Sequence, residues 1–136
     1  MPDPIRKIVD SRYAAQLLAA QPGLAAELAS PAPFTRAEMA AALAGSGAQD
    51  EAALMRRLRG LRQRVLLRVM ARDLCGLASL EEVCGTMSEL AELSIAAALE
   101  ESSLIVLAMG KLGGRELNVS SDIDLVFLHP EAADGA

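Results

Sequence analysis

Two aspartates near the carboxyl end of the sequence, Asp122 and Asp124, stand two residues apart at the start of an apolar run. If both belong to one strand, their side chains project from the same face, with Cα atoms about 6.5–7 Å apart. Two carboxylates on one face suit Mg²⁺, which takes oxygen ligands and is commonly held by one or two carboxylates together with substrate phosphates. The spacing therefore predicts a magnesium site that acts at phosphorus.

A turn with three glycines precedes the aspartates: Gly110, Gly113 and Gly114. Glycines permit a tight turn and let backbone N–H groups approach a phosphate, and we expect a short helix to begin at Gly114. Lys111 adds a positive charge as either a phosphate contact or a partner in a local salt bridge. Ser120 and Ser121 are either turn residues or hydrogen-bond donors to phosphate. The turn is thus a candidate phosphate-binding element beside the carboxylates.

Other kinds of site fit the sequence less well. An EF-hand is excluded around Asp122 because the glycine and the terminal glutamate of its loop are missing, and Gly110-Lys111 lacks the upstream glycine and following Ser or Thr of a Walker loop. His129, the one histidine, has no obvious catalytic partner and is interpreted as a loop residue. Cys75 and Cys84 lack the spacing of a zinc site and are predicted to be reduced, packed thiols.

The predicted secondary structure that must position these residues changes from helix to strand at Ser102. Beyond it, two apolar runs, Leu104–Met109 and Ile123–Leu128, are predicted strands that flank the glycine turn. Before it, the composition favours helices with a core of Leu, Ala, Val and Met, since the chain is 52% hydrophobic and only 2% aromatic. The predicted helices are Ile5–Ala20, Leu24–Ala29, a helix after Thr35 that ends near Ala44, Asp50–Cys75 and Leu80–Glu100.

Capping signals support two of these helices, because Thr35 with Glu38 and Ser79 with Glu82 both have the spacing of a capping box. The long helix carries a shared apolar face: Leu54, Leu58, Leu61, Val65 and Val69. It also carries seven of the 13 basic residues: Arg56, Arg57, Arg59, Arg62, Arg64, Arg68 and Arg72. They form either a solvated face whose stems cover apolar surface or a contact with phosphate or an acidic partner. The acidic helix that follows is a plausible neighbour for them.

The charge and composition of the chain indicate which kinds of partner it can bind. A net charge of −5, no Trp, one Tyr and two Phe argue against a nucleic-acid-binding surface. The amino terminus lacks the basic and apolar regions of a secretory signal, and no apolar run is long enough to cross a bilayer. We expect a cytoplasmic protein that acts on a protein or a small nucleotide, with no membrane contact.

The string MGKLGGRELN from Met109 to Asn118, followed by SSDIDL from Ser120 to Leu125, resembles the Gly-Gly and Asp-x-Asp signature of the nucleotidyltransferase superfamily. The longer string resembles the glutamine synthetase adenylyltransferase family, and in particular its amino-terminal, adenylyl-removing copy. This resemblance implies an α+β fold: a helical amino-terminal bundle over residues 1–103, followed over 104–136 by the first two strands of a nucleotidyltransferase (polymerase-beta-like) fold.

The resemblance also implies a function. A full-length member would move AMP on and off a tyrosine of glutamine synthetase, and the amino-terminal copy would remove it with inorganic phosphate, which gives ADP. Asp122 and Asp124 would hold Mg²⁺, Gly113, Gly114, Lys111 and Ser121 would contact phosphate, and the partners would be glutamine synthetase, ATP or ADP, phosphate and the PII signalling protein.

A third carboxylate usually completes such a metal site, and here only Glu131 and Asp134 follow, too close in sequence to return beside the first two. We therefore interpret the chain as a fragment that ends soon after its first two metal ligands. Two other functions stay open: another Mg²⁺-dependent nucleotidyltransferase, and a catalytically silent helical module that docks onto a partner.

Overall fold

The computed structural model describes residues 8, 10–30, 32–45, 50–100 and 102–130. The helices whose bounds lie in these ranges before the small sheet are α1 (Arg12–Ala20), α2 (Ala25–Ala29), α3 (Arg36–Leu43), α4 (Glu51–Leu74) and α5 (Leu80–Ala98), with a 3-10 turn at Pro22–Leu24. Strand β1 (Ile105–Met109), the short helix α6 (Gly110–Gly113) and strand β2 (Asp124–Leu128) follow. The α+β class is confirmed, whereas the nucleotidyltransferase fold stays a prediction.

The helix predicted from Ile5 to Ala20 is interrupted at Asp10 and Ser11, since Ile8 before them is helical. Asp10 lies in a turn, and the side chain of Ser11 accepts a hydrogen bond from the N–H of Ala14 at 3.4 Å, which caps a helix that starts at Arg12. The prediction of one helix through this point was therefore wrong, because a capping serine interrupts the apolar stripe. Ile5 and Val9, which were predicted to belong to that stripe, lie outside the described residues.

The long helix α4 is bounded as predicted. Asp50 caps its first turn by accepting from the N–H of Ala53 at 3.1 Å. At its end Gly76 takes a φ of +70°, and Leu77 N–H reaches the carbonyl of Arg72 at 2.8 Å while Gly76 N–H reaches that of Asp73 at 2.9 Å. This is a Schellman motif, which satisfies carbonyls that the helix leaves unpaired.

One capping box forms completely and the other only by half. Thr35 and Glu38 bond each other's backbone N–H groups, as predicted. Ser79 accepts from the N–H of Glu82 at 3.2 Å, but both carboxylate oxygens of Glu82 bind Arg72, at 2.6 and 2.9 Å. A two-point ion pair thus replaces the second half of the predicted box.

The main core lies where α3, α4 and α5 meet. Of the predicted α4 face it contains Leu61, Val65 and Val69, with Leu58 at its margin, whereas Leu54 is buried outside this cluster. It also contains the inner side of α5, where Val83, Met87 and Leu90 are buried. A smaller cluster joins Ile8, Leu17 and Leu28 to Leu67 on the opposite side of α4. Because α4 is buried on two sides, it is the central helix of the described structure.

Two arginines of α4 are buried among carboxylates of other helices. Arg68 donates to Glu27 of α2 at 2.5 and 3.0 Å and to Glu38 of α3 at 3.0 Å, and its guanidinium lies 4.1 Å from the ring centre of Phe34. Arg64 donates to the same Glu27 carboxylate at 2.6 Å. The carboxylates that bind Arg64 and Arg68 thus lie in α2 and α3. The helix that was expected to lie beside the arginines, α5, binds Arg72 through Glu82.

These contacts shift the pKa of the groups involved. Burial alone would lower the pKa of Arg68, but its hydrogen bonds to Glu27 and Glu38 raise it overall. The bond to Glu82 raises the pKa of Arg72. The N–H of Thr35, and secondarily Arg68, lower the pKa of Glu38. Arg68 and Arg72 therefore act as structural cations inside the chain.

Strands β1 and β2 pair antiparallel, with Met109 opposite Asp124 and Ile105 opposite Leu128. One face of the ribbon contacts the helices through Leu125, which packs against the main core. The other face is exposed and carries Ile105, Leu107, Met109, Val126 and Leu128, with Asp124 at its end. The predicted strands are confirmed to within one residue.

Among the helices of the described ranges, none is at once long enough and apolar enough to cross a membrane.

Candidate functional site

The two predicted metal ligands lie at the start of β2. Asp124 is the first residue of the strand and Asp122 lies in the extended segment before it, so strand alternation itself includes only Asp124. Both residues are exposed. Within the described part of the chain, neither carboxylate makes a hydrogen bond or an ion pair. Their oxygen atoms are therefore available to a ligand.

Asp124 stands directly against the glycine turn. A Cβ atom built on Gly110 would lie 3.1 Å from Oδ2 of Asp124, and Gly110 has a φ of +54°, a conformation that side chains disfavour. Cross-strand pairing of Met109 with Asp124 produces this approach, because Gly110 follows Met109 directly. The missing side chain at position 110 leaves room for the carboxylate.

The glycine turn is itself the short helix α6, which begins at Gly110 rather than at Gly114 as predicted. Gly114 N–H donates to the carbonyl of Gly110 at 3.0 Å, and Arg115 and Glu116 N–H groups donate to Leu112 and Lys111 at 3.0 and 2.7 Å. Gly114 thus closes a helix, because the left-handed residue after it, Arg115, stops the helical path. The N–H of Gly114 is therefore hydrogen-bonded within the turn.

Two residues that were predicted to contact phosphate, Lys111 and Ser121, lie beside each other. Lys111 Nζ lies 3.5 Å from Oγ of Ser121, and that hydroxyl also accepts from the N–H of Asn118 at 3.2 Å. The side chain of Asn118 accepts from the N–H of Ser120 at 2.9 Å, so it braces the loop as expected. Lys111 forms no salt bridge to the described residues, and its polar partner there is a hydroxyl.

Buried leucines fix the turn on the helical core. Leu112 of α6 and Leu117 just after it are both buried in the cluster that contains Val83, Met87 and Leu90 of α5. The sequence hypothesis named the glycines and charged residues of this stretch and omitted these anchors. Their signal was present, since they are the only apolar residues between Gly110 and Asn118.

Arg115 is exposed, yet its side chain also reaches the acidic helix. Its guanidinium donates to Glu92 of α5 at 2.6 Å and lies 3.7 Å from a carboxylate oxygen of Glu89. Glu92 also accepts from Arg36 at the start of α3, at 2.8 Å. The acidic helix thus holds the glycine turn by charge as well as by apolar packing.

His129 follows β2 and is exposed, with Nδ1 2.7 Å from the carbonyl oxygen of Pro130. This agrees with its interpretation as a loop residue. Glu131 and Asp134 lie outside the described residues. Within the ranges that are described, no group of three or more His, Cys, Asp or Glu side chains is arranged to hold a metal ion.

Comparison with known proteins gives a consistent result. A sequence model of the glutamate-ammonia ligase adenylyltransferase family matches residues 5–136. The protein of Nitrosomonas europaea named bifunctional glutamine synthetase adenylyltransferase/adenylyl-removing enzyme is 46% identical over 147 residues, which cover 89% of this chain and 16% of that protein.

Proteins of the same name from Aromatoleum aromaticum and Thioalkalivibrio sulfidiphilus are 42% and 41% identical, over 98% and 92% of this chain. The chain spans about 16% of the length of these curated relatives. No solved structure matches it.

Proposed function

The chain belongs to the glutamate-ammonia ligase adenylyltransferase family, and from this premise we propose that it supplies part of the magnesium site with which an adenylyl-removing enzyme acts on glutamine synthetase. The relatives are named for both addition and removal of an adenylyl group. We assign this chain to removal, in which inorganic phosphate attacks the adenylyl phosphorus. A bond from that phosphorus to a phosphate oxygen forms, its bond to the tyrosine oxygen breaks, and ADP and free tyrosine result.

One observation carries the proposal: the unpaired carboxylate of Asp124 stands over Gly110, at the start of the turn that holds Lys111 beside Ser121. Exposed carboxylates without partners are suitable ligands for Mg²⁺, so the residues fit the ion. In this assignment Asp122 and Asp124 hold it. When bound, it would neutralise charge on the phosphate oxygens.

The remaining residues of the turn bind and orient phosphate. Lys111 contributes a cationic donor, and Ser121 contributes a hydroxyl that already bonds the N–H of Asn118 and so has a fixed position. Gly110 leaves room for the Asp124 carboxylate, and Gly113 lets the turn fold back on β1. The Asp side chains act as metal ligands, and none of these groups is assigned a proton transfer.

The proposal extends to the setting of the reaction. It places the protein in the cytoplasm, with glutamine synthetase as macromolecular partner, and it assigns AMP addition with ATP and control by PII to the longer enzyme. The observed position of Lys111 supports a phosphate-bearing substrate, because it leaves a cation beside the hydroxyl of Ser121, the residue directly before Asp122.

The test is a chimera in which this chain replaces the matching segment of the Nitrosomonas europaea enzyme. We expect Mg²⁺-dependent release of ADP from adenylylated glutamine synthetase and phosphate. Asp124→Asn and Asp122→Asn should each lower the rate by about 100-fold or more, since several kcal/mol of charge stabilisation exceeds two powers of ten.

Asp73→Asn is the matched control, because Asp73 is exposed at the end of α4, away from the turn. It should leave the rate unchanged. An active chimera that is indifferent to both site substitutions would overturn the metal assignment. A chimera that binds glutamine synthetase without any turnover would instead identify a docking module.

A further inference from the structure

Two helices of this chain end in the same Schellman geometry with different residues at the left-handed position. After α4 that residue is Gly76, with a φ of +70°, and after α6 it is Arg115, with a φ of +57°. Glycine adopts this conformation without strain, whereas a residue with a Cβ atom is strained in it. Position 115 therefore carries a side chain where the backbone alone favours none.

The side chain of Arg115 has a specific task in the structure. It spans from the glycine turn to α5, where Glu92 accepts at 2.6 Å and Glu89 lies at 3.7 Å. Glu92 is held on its other side by Arg36 at 2.8 Å. Its carboxylate therefore has a fixed position from which it can hold the turn.

The turn in question determines where Asp124 lies relative to the helices. Gly110 at its start faces the Asp124 carboxylate, and Arg115 at its end is tied to α5. Arg115 is only five positions after Gly110, so a rotation of the turn on α5 would move Gly110, which lies against the carboxylate of Asp124. We propose that Arg115 is a positioning residue that acts through Glu92 to hold the Gly110–Arg115 turn, and with it Lys111, in register with Asp122 and Asp124. This rests on the proposed metal site.

A purely electrostatic role of Arg115 and a positioning role predict opposite effects on metal affinity, so metal binding distinguishes them. Arg115 is a cation near a site for a cation, so a purely electrostatic role means that its removal strengthens metal binding. A positioning role means that its removal weakens metal binding. Removal of the anion Glu92 alone does not distinguish the two roles, because it weakens metal binding under either one.

The first experiment measures Mn²⁺ binding to the 136-residue chain by electron paramagnetic resonance. Arg115→Asn is the main variant, since Asn tolerates the left-handed conformation but reaches neither glutamate. We expect its dissociation constant to rise about tenfold, the lower end of the effect of removing groups that orient metal ligands. Arg115→Lys should restore most of the affinity.

A double-mutant cycle then identifies the partner. Glu92→Gln should weaken Mn²⁺ binding as well, and Arg115→Asn with Glu92→Gln should weaken it no more than either change alone, because both remove one contact. Arg59→Gln is the matched control. It removes an exposed charge from α4 that makes no contact with the turn among the described residues, and it should leave the affinity unchanged.

The second experiment does not depend on metal. Backbone ¹⁵N relaxation of residues 111–116 should show rigid order parameters, about 0.85, in the parent chain and in Arg59→Gln. We expect values nearer 0.6 in Arg115→Asn and Glu92→Gln, with recovery in Arg115→Lys.

The two proposals fail in different ways. If Asp124→Asn leaves Mn²⁺ binding unchanged, the metal site is overturned, and the order parameters still decide whether Arg115 holds the turn. If Asp124→Asn abolishes binding but Arg115→Asn leaves it equal or tighter, the metal site stands and the positioning role is overturned. Full additivity in the cycle would overturn the role of Glu92.

Discussion

Gly113 lies so close to Ala108 that a Cβ atom built on it would stand 2.6 Å from the Ala108 carbonyl oxygen. The neighbouring Gly114 has no such restriction, since its nearest contact would be the flexible Glu116 side chain at 3.6 Å. The two glycines of the motif therefore differ. Gly113 lets α6 fold back on β1, whereas a Cβ atom at Gly114 would make only ordinary van der Waals contacts.

We predict that Gly113→Ala lowers the free energy of unfolding by about 2 kcal/mol or more, because a backbone carbonyl cannot yield as a side chain can. Gly114→Ala is the matched control and should change stability by less than about 0.5 kcal/mol. Chemical denaturation followed by circular dichroism measures both. Equal effects of the two substitutions would contradict the close approach of α6 to β1.

Arg68 and Arg56 allow the same substitution at a buried and an exposed position of α4. Arg68→Met leaves the buried Glu27 with Arg64 alone and removes the contact with Phe34, so we expect a loss of about 3 kcal/mol. Arg56 lies 4.0 Å from Asp50 in solvent, and Arg56→Met should change stability by less than about 0.5 kcal/mol. The unfolding midpoints in urea test this; a small effect at Arg68 would show that the buried network is dispensable.

Ser88 on α5 is fully buried, and its hydroxyl has no hydrogen-bond partner among the described residues. We predict that Ser88→Ala stabilises the chain by about 1 kcal/mol or more, because it removes an unsatisfied buried group. Ser94→Ala is the control: it gains the same helix propensity but loses a bond to the Leu90 carbonyl at 2.7 Å. Thermal unfolding should separate the two variants, and an equal shift in both would indicate that Ser88 is satisfied in solution.

Glu38 gives the chain a predicted response to acid. The Thr35 N–H and the Arg68 guanidinium lower its pKa below the ordinary 4.5 in the folded state, so the folded chain binds this proton less readily than the unfolded chain does. The resulting stabilisation is complete above pH 4.5 and is lost as the pH falls through the lowered value.

Thermal unfolding of the parent chain and of Glu38→Gln measures this contribution. The parent should be the more stable at pH 7, and the difference should shrink on acidification below pH 4.5. A difference that stays constant with pH would mean that the carboxylate does not contribute through its charge.

Sequence patterns over a few neighbouring positions predicted most of the helices and strands. The capping box at Thr35, the apolar face of α4 and the two β-like runs each depend on residues a few positions apart, and each is found in the structure. The predictions failed where a distant residue competes with a local partner. Glu82 has the spacing of a capping residue, yet Arg72 takes its carboxylate from the end of the preceding helix.

The same distinction holds at the candidate site. Composition and spacing alone identified an acidic pair beside a glycine turn, because residue type and short-range geometry are written in the sequence. Only tertiary structure decided that Asp124 faces Gly110 across a strand pair and that Arg115 binds Glu92. Those contacts join segments separated by many residues, and their distances depend on how α5 and the β ribbon pack, which no local pattern specifies.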